Sequence, residues 1–331
     1  METIYIFTDG EIRRKNGALY LKPKKEETKS IFVPLKSVSS LMIFSEVSLN
    51  KRFLDLLSKE GVPAFFYGYY GNFIGSFYPP ENNKTGEMLI QQFKYYNDNE
   101  KRLNIAKEIL KAATDNMIYL LKNYKELVGL EIDYINKLKL SIEKQDNVPS
   151  LMAIEGNIRK KYYTAIGKIV GRKNFVFEER IKRPPKDEIN ALISFGNVIL
   201  YNIVLAEIYK TSLEPRISFL HEPNKRKFSL QLDISEVFKP IIVDKAIINL
   251  VNKNIIKKED FEKVSDGVYL AKDGKKKFVE ELEKRLESKI YLYKDQKVTF
   301  KTVILHECYK LIRHLKNEEN YKGFRMKGWY L

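Results

Sequence analysis

Short β-branched or aromatic runs open the chain, and they give way near residue 80 to long stretches of helical period. Thr3 to Phe7, Ala18 to Leu21, Ser30 to Pro34 and Ser40 to Phe44 read as strands. Turn signals at Asp9-Gly10 and Asn16-Gly17 and the charged stretch Pro23 to Lys29 separate them. Leu49 to Lys59 spaces Phe53, Leu54, Leu56 and Leu57 as a helix does, and Gly61 supplies its stop. Val62 to Tyr67 and Phe73 to Phe77 resume the strand pattern around Gly68 and Gly71. Residues 1–80 are therefore expected to form a small β-rich domain with one helix. The aromatics Phe65, Phe66, Tyr69 and Tyr70 are candidates for its core.

Pro79 to Gly86 has linker composition, which places a linker at 81–87. Beyond it Leu89 to Asn97, Glu100 to Lys122, Leu127 to Gln145 and Ser150 to Gly167 carry helical period. Pro184-Pro185 breaks the chain before a neutral helix at Asp187 to Lys210. Val243 to Val251 and Lys258 to Lys263 read as short helices, and Phe278 to Leu286 and Thr302 to Lys316 as amphipathic ones. The fold class expected is α+β: a small N-terminal β-rich domain followed by a larger all-α domain over 88–331. Ile189 to Ala206 carries no charge, but Asn190, Asn197 and Asn202 interrupt it and it falls short of the ~20 apolar residues a membrane span needs. It reads as a buried central helix.

Composition adds a partner. The net charge is +16 with 44% hydrophobic and 31% charged residues, too apolar for disorder and basic enough to attract phosphate backbones or anionic membranes. Cys308 is the single cysteine, which excludes an internal disulfide and a thiolate metal cage and fits a reducing, cytoplasmic setting. The first ten residues show no basic region and no long apolar core, so no signal peptide and no membrane partner are expected. Neither Gly-Lys-Ser nor Gly-Lys-Thr occurs, so a nucleotide-hydrolysing P-loop is not supported.

Candidate chemistry concentrates between Pro215 and Pro240. His221 ends an apolar run, a turn follows, and Asp233 and Glu236 then stand three residues apart, on one face if helical. Glu155 sits in an otherwise apolar helical turn, where a carboxylate is costly without a partner. Gly156 beside it leaves room for a close approach. Carboxylates with one imidazole and no thiolate form a hard ligand set, which favours Mn²⁺ or Mg²⁺ over structural zinc. Plainer roles fit the same residues: His221 as a core residue, Asp233 and Glu236 as a solvated face, Glu155 as the ion-pair partner of Arg159 one turn on. Arg159, Lys160, Arg180, Lys182, Arg183, Lys225 and Arg226 flank the site in sequence and are candidates for phosphate contact or plain surface charge.

Taken together these motifs resemble the endonuclease/integrase of CRISPR spacer acquisition, the Cas one family. Its Glu-Gly motif followed by aromatics is matched by Glu155-Gly156 and Tyr162-Tyr163. Its Arg-Pro-Pro-x-Asp block is matched from Arg183 to Gly196, and its Phe-Leu-His block and following acidic helix by Pro215 to His221 and Ser229 to Pro240. The Thr3-Ile-Tyr-Ile start and the ending from Tyr321 to Trp329 also match. The resemblance spans essentially the full chain. It implies a β domain before a helical one, Mn²⁺ or Mg²⁺ held by Glu155, His221 and Glu236, and Asp233 as a supporting acid, with the order of Asp233 and Glu236 left open. It further implies double-stranded and branched DNA as substrates, a homodimer formed through the β domain, and the small acquisition protein (Cas two) as partner. The implied reaction joins a DNA 3′-hydroxyl to a phosphodiester, or reverses that step.

A tyrosine recombinase is not supported, because none of the three histidines heads a His-x-x-Arg motif. Two other functions stay open. One is a metal-dependent nuclease acting on branched DNA in repair, the other a non-catalytic basic DNA-binding scaffold.

Overall fold

In the computed structural model, residues 2–25, 27–81, 83–223, 228–293 and 296–326 are described. The chain divides into two compact units, Met1–Asn82 and Asn83–Leu331. The first carries β1 (Glu2–Ile6), β2 (Gly10–Lys15), β3 (Ala18–Pro23), β4 (Ile31–Pro34), β5 (Val38–Ile43), β6 (Val47–Leu49), α1 (Lys51–Glu60), β7 (Ala64–Tyr67) and β8 (Phe73–Phe77). They form two four-stranded sheets, ordered β1-β5-β7-β8 and β4-β3-β2-β6. In the first, β1/β5 and β5/β7 are parallel and β7/β8 antiparallel; in the second, only β2/β6 is parallel. Asn16 and Gly17 both take positive φ, 50° and 74°, which closes the tight β2–β3 hairpin that joins two right-twisted strands. Asn50 caps α1 by accepting the Phe53 N–H at 3.0 Å. Ile12, Leu19, Leu21, Leu41, Phe53, Leu57 and Ala64 form the core of this unit.

The second unit is built on α2 (Gly86–Asn97), α3 (Asn99–Lys122), α4 (Lys125–Ser141), α5 (Val148–Gly171), α6 (Glu188–Tyr209), α7 (Leu230–Lys239), α8 (Lys245–Asn252), α9 (Lys272–Glu287) and α10 (Phe300–Leu315). Of the linker expected at 81–87, Gly86 and Glu87 already belong to α2, because Thr85 caps it by accepting the Met88 N–H. The helix α6 is apolar on most of its circumference, and a helix of that kind must be buried; nearly all of Ile189–Ile208 is, Asn190, Asn202 and Glu207 included. The helical unit also holds two hairpins, β9 (Phe261–Val264) with β10 (Gly267–Leu270) and β11 (Lys289–Tyr293) with β12 (Gln296–Thr299). The helix expected at Lys258 to Lys263 is therefore corrected to one 3₁₀ turn, Lys258–Asp260, running into β9. The Asp260 carboxylate accepts the Lys257 N–H at 2.8 Å and so caps the start of that turn, and from Phe261 the chain pairs with β10 instead of continuing helically.

One irregularity frames the site. Pro240 follows α7 directly and has no N–H to give to the Glu236 carbonyl four residues back. The chain continues as a π-helical turn, Pro240–Asp244, before α8.

Candidate metal centre

Glu155 lies a third of the way along α5. Asn147 fixes the start of that helix by accepting the Ser150 N–H at 2.9 Å, and Pro149 stands in its first turn. A Cβ on Gly156 would meet no atom within 4 Å, so the backbone beside Glu155 is open. His221 is on the loop between α6 and α7, not on a helix. Asp233, in the first turn of α7 and fully buried, organises that loop. Its Oδ2 accepts the Phe219 and Leu220 N–H groups at 2.6 and 2.9 Å, and its Oδ1 accepts the His221 N–H at 3.0 Å and the His221 Nδ1 at 2.8 Å.

Because Asp233 accepts from Nδ1, the imidazole carries its proton there and turns the Nε2 lone pair inward. Nε2 stands 3.8 Å from Glu236 Oε1. Asp233 thus faces the loop, and Glu236 faces the imidazole Nε2. Glu236 is 3% exposed. Lys239, one turn on, donates to its Oε1 at 2.5 Å, and the Arg159 guanidinium pairs with its Oε2. Arg159 also donates through Nε to Glu155 Oε1 at 2.5 Å. Glu155, Arg159, His221, Asp233, Glu236 and Lys239 therefore form one cluster.

As the side chains stand, no three His, Cys, Asp or Glu groups among the described residues are set to hold an ion. The guanidinium occupies the space between Glu155 and Glu236. Its Nη1 is buried without a hydrogen-bond partner among the described residues. Two carboxylates and a neutral imidazole nitrogen fit a hard divalent cation that would take over this neutralising role. Burial pushes the Glu155 carboxyl up, but Arg159 first and then Lys239 offset it and hold it below its ordinary value. For Arg159 burial pushes down, but Glu155, Tyr163 and Asp244 together outweigh it and the guanidinium ends above its ordinary value.

Arg159→Gln removes this resident cation and leaves two partly or wholly buried carboxylates facing each other. The metal-free variant is expected to lose about 3 kcal/mol in a denaturant melt, and Mn²⁺ should stabilise it more than it stabilises the wild type. A Mn²⁺-induced shift no larger than the wild type's counts against this arrangement.

A further layer lies behind the cluster. Tyr162 is buried and its hydroxyl donates to Asp244 Oδ2 at 2.8 Å. Burial pushes Asp244 up to about 6, against the Tyr162 hydrogen bond and the charges of Arg159, Lys239 and Arg180. Lys239 Nζ, at the end of α7, lies 4.9 Å from the ring centroid of Tyr201 on α6. Burial pushes the Tyr201 phenol up, but Lys239, Arg159 and Lys182 pull it below its ordinary value. Sequence reasoning missed Lys239, Tyr201 and Asp244. The available signals were the one-turn spacing of Glu236 and Lys239, and a lone acid in the apolar run Ile241 to Ile248.

Asp244 gives a pH dependence. Its folded value lies above the ordinary 3.8, so the folded state keeps its proton while the unfolded chain ionises. The term is absent below pH 4, grows between 4 and 6, and destabilises the fold fully above 6, by about 3 kcal/mol. Asp244→Asn should therefore raise unfolding free energy by about 2 kcal/mol at pH 8 and leave it nearly unchanged at pH 4. Urea melts at the two pH values check the difference.

The flanking cations differ in placement. Lys160 and Arg183 are exposed. Arg159, expected to face DNA, is instead the internal counter-ion just described, 13% exposed at its side chain. Arg180 is turned inward onto Asn190 Oδ1, Ser194 Oγ and the Ile181 carbonyl at 2.7–2.9 Å. Lys225 and Arg226 lie outside the described residues.

Fold and cluster together define an α+β protein in which a β-rich unit precedes a helical one carrying a carboxylate–imidazole centre. The chain belongs to the CRISPR-associated Cas1 family, whose model, described as CRISPR associated protein Cas1, matches residues 4–284. A relative named CRISPR-associated endonuclease Cas1 2, from Thermodesulfovibrio yellowstonii, is 42% identical over 333 residues, covering 99% of this chain and 99% of the relative. A solved Cas1 protein from Thermotoga maritima superposes with a TM-score of 0.88 at 38% identity, over 98% of this chain and 100% of that one. A casposase bound to integration product superposes with a TM-score of 0.86, over 99% and 97%; at 22% identity that likeness concerns the fold.

Proposed function

We propose that this chain is a DNA endonuclease/integrase of CRISPR spacer acquisition, in which Glu155, His221 and Glu236 hold Mn²⁺ or Mg²⁺. The observation that carries the reading is the convergence of these side chains, from α5, a loop and α7, around a guanidinium that a divalent cation can replace. The endonuclease name of the 42% identical relative supports the activity. The bound ion would supply charge for the developing phosphorane and activate a hydroxyl or water.

The protein's own groups set the stage. Asp233 keeps the proton on His221 Nδ1, so Nε2 stays a neutral donor atom. Lys239 and Arg159 balance the charge of the acidic pocket. Tyr162, with its hydroxyl given to Asp244, is no nucleophile. The attacking oxygen is then a DNA 3′-hydroxyl or water. It gives up its proton to solvent and forms a new P–O bond at the repeat; the original P–O bond breaks, and the displaced oxygen leaves with its strand as a 3′-hydroxyl after taking up a proton. The substrates are double-stranded and branched DNA, the working form a homodimer through the β-rich unit, and the partner the small acquisition protein.

Short duplexes with free 3′-hydroxyls, offered with a supercoiled plasmid carrying a repeat, test this. Joined product is expected with Mn²⁺ or Mg²⁺, none with chelator, and none from 3′-deoxy ends. Cleavage of branched DNA without joining would instead favour a repair nuclease. Binding that falls steeply with salt but shows no metal-dependent chemistry would favour a scaffold.

A further inference from the structure

Residues 321–326 take no part in the chemistry above, yet four of the six are buried. Tyr321, Phe324 and Met326 are at most 9% exposed in a stretch without regular secondary structure. Side chains of the helices satisfy its backbone. His314 Nδ1 accepts the Tyr321 N–H at 3.2 Å, Glu108 the Gly323 N–H at 3.1 Å, Glu307 the Phe324 N–H at 3.1 Å, and Asn116 Oδ1 the Met326 N–H at 2.8 Å. The Tyr321 hydroxyl adds a bond to fully buried Glu307 at 2.6 Å, and Arg325 pairs with Glu108 and Asp115. A segment held at each step by groups from α3 and α10 is part of the fold's framework.

Two contacts connect it to the centre. Asn116, fully buried on α3, donates from one Nδ2 both to the Phe324 carbonyl at 2.9 Å and to the Val237 carbonyl at 2.8 Å. The Phe324 ring stacks on Phe238, with centroids 5.9 Å apart and planes 12° apart. Val237 and Phe238 directly follow Glu236 on α7. We infer that residues 321–326 are a strap that positions α7 from behind, with Asn116 as its clasp, so that Glu236 and the Asp233–His221 pair keep their register. This makes Asn116, Gly323 and Phe324 positioning residues. The inference rests on the reading of Glu236 and His221 as ion ligands.

Gly323 offers a clean test on the full chain. A Cβ there would come 2.5 Å from the Ala112 Cβ, a contact that only backbone movement relieves. Gly323→Ala should loosen the strap, and Ala112→Gly in the same chain should let it seat again, although glycine within α3 lowers helix stability. Two readouts are taken at a temperature where all three proteins are folded by near-ultraviolet circular dichroism. Hydrogen exchange over Leu230–Asp244 should speed up about tenfold in Gly323→Ala, and the Mn²⁺ Kd should rise roughly tenfold or more. Both should return most of the way in the double variant. Unchanged exchange and Kd in Gly323→Ala, or a double variant as impaired as the single, overturns the strap. A wild type that binds no Mn²⁺ removes the functional reading instead, and the exchange comparison still decides the strap.

Discussion

Glu155→Gln is expected to lower metal-dependent cleavage and strand joining at least ~10³-fold, equivalent to about 4 kcal/mol of transition-state stabilisation. DNA affinity should change by less than about threefold. Gln keeps the size of the side chain and can still accept from Arg159, but it lacks the charge that neutralises a divalent ion. Glu155, 16% exposed at its side chain against 4% for Glu236, is also the more open of the two carboxylates. Single-turnover rates with Mn²⁺, set beside fluorescence anisotropy on the same DNA, separate chemistry from binding. A rate within tenfold of wild type would remove Glu155 from the reaction.

Asp233→Asn should have the second-largest effect, through position and not through coordination. The carboxylate accepts from four donors, three backbone N–H groups and His221 Nδ1. Asn has one accepting oxygen, and its NH₂ would be pressed against N–H donors in a site with no solvent. Two or more charge-assisted bonds are lost, at ~1.5–3 kcal/mol each, so a stability loss of roughly 3–5 kcal/mol is expected in urea melts. With its Nδ1 partner gone the imidazole is free to turn or to exchange tautomers, and Mn²⁺ affinity should fall 10- to 100-fold. Destabilisation with unchanged Mn²⁺ affinity would make Asp233 a loop anchor and nothing more.

Much of this architecture was legible in the sequence. Strands and helices with a clear apolar period were found, because period follows from burial on one face. The strand β2, Gly10–Lys15, was missed: only Ile12 of its side chains is buried, so it shows no alternation to read. The hairpins of the helical unit are short, and a four-residue strand is hard to tell from a helical turn by composition. For the site, the three-residue spacing showed that Asp233 and Glu236 share a face, but spacing cannot say which points at the loop. That choice was made by unpaired N–H groups at Phe219, Leu220 and His221, which no pattern displays. The pairing of Arg159 with Glu155 was visible as a helical turn. Its second partnership with Glu236 joins α5 to α7, 77 residues on, and needed the fold.

The most direct measurement is equilibrium Mn²⁺ binding to the full chain, followed by the electron paramagnetic resonance of free Mn²⁺. One ion per chain is expected, with Kd raised at least ~10-fold in each of Glu155→Gln, His221→Ala and Glu236→Gln. Wild-type affinity in all three variants would contradict the shared ion.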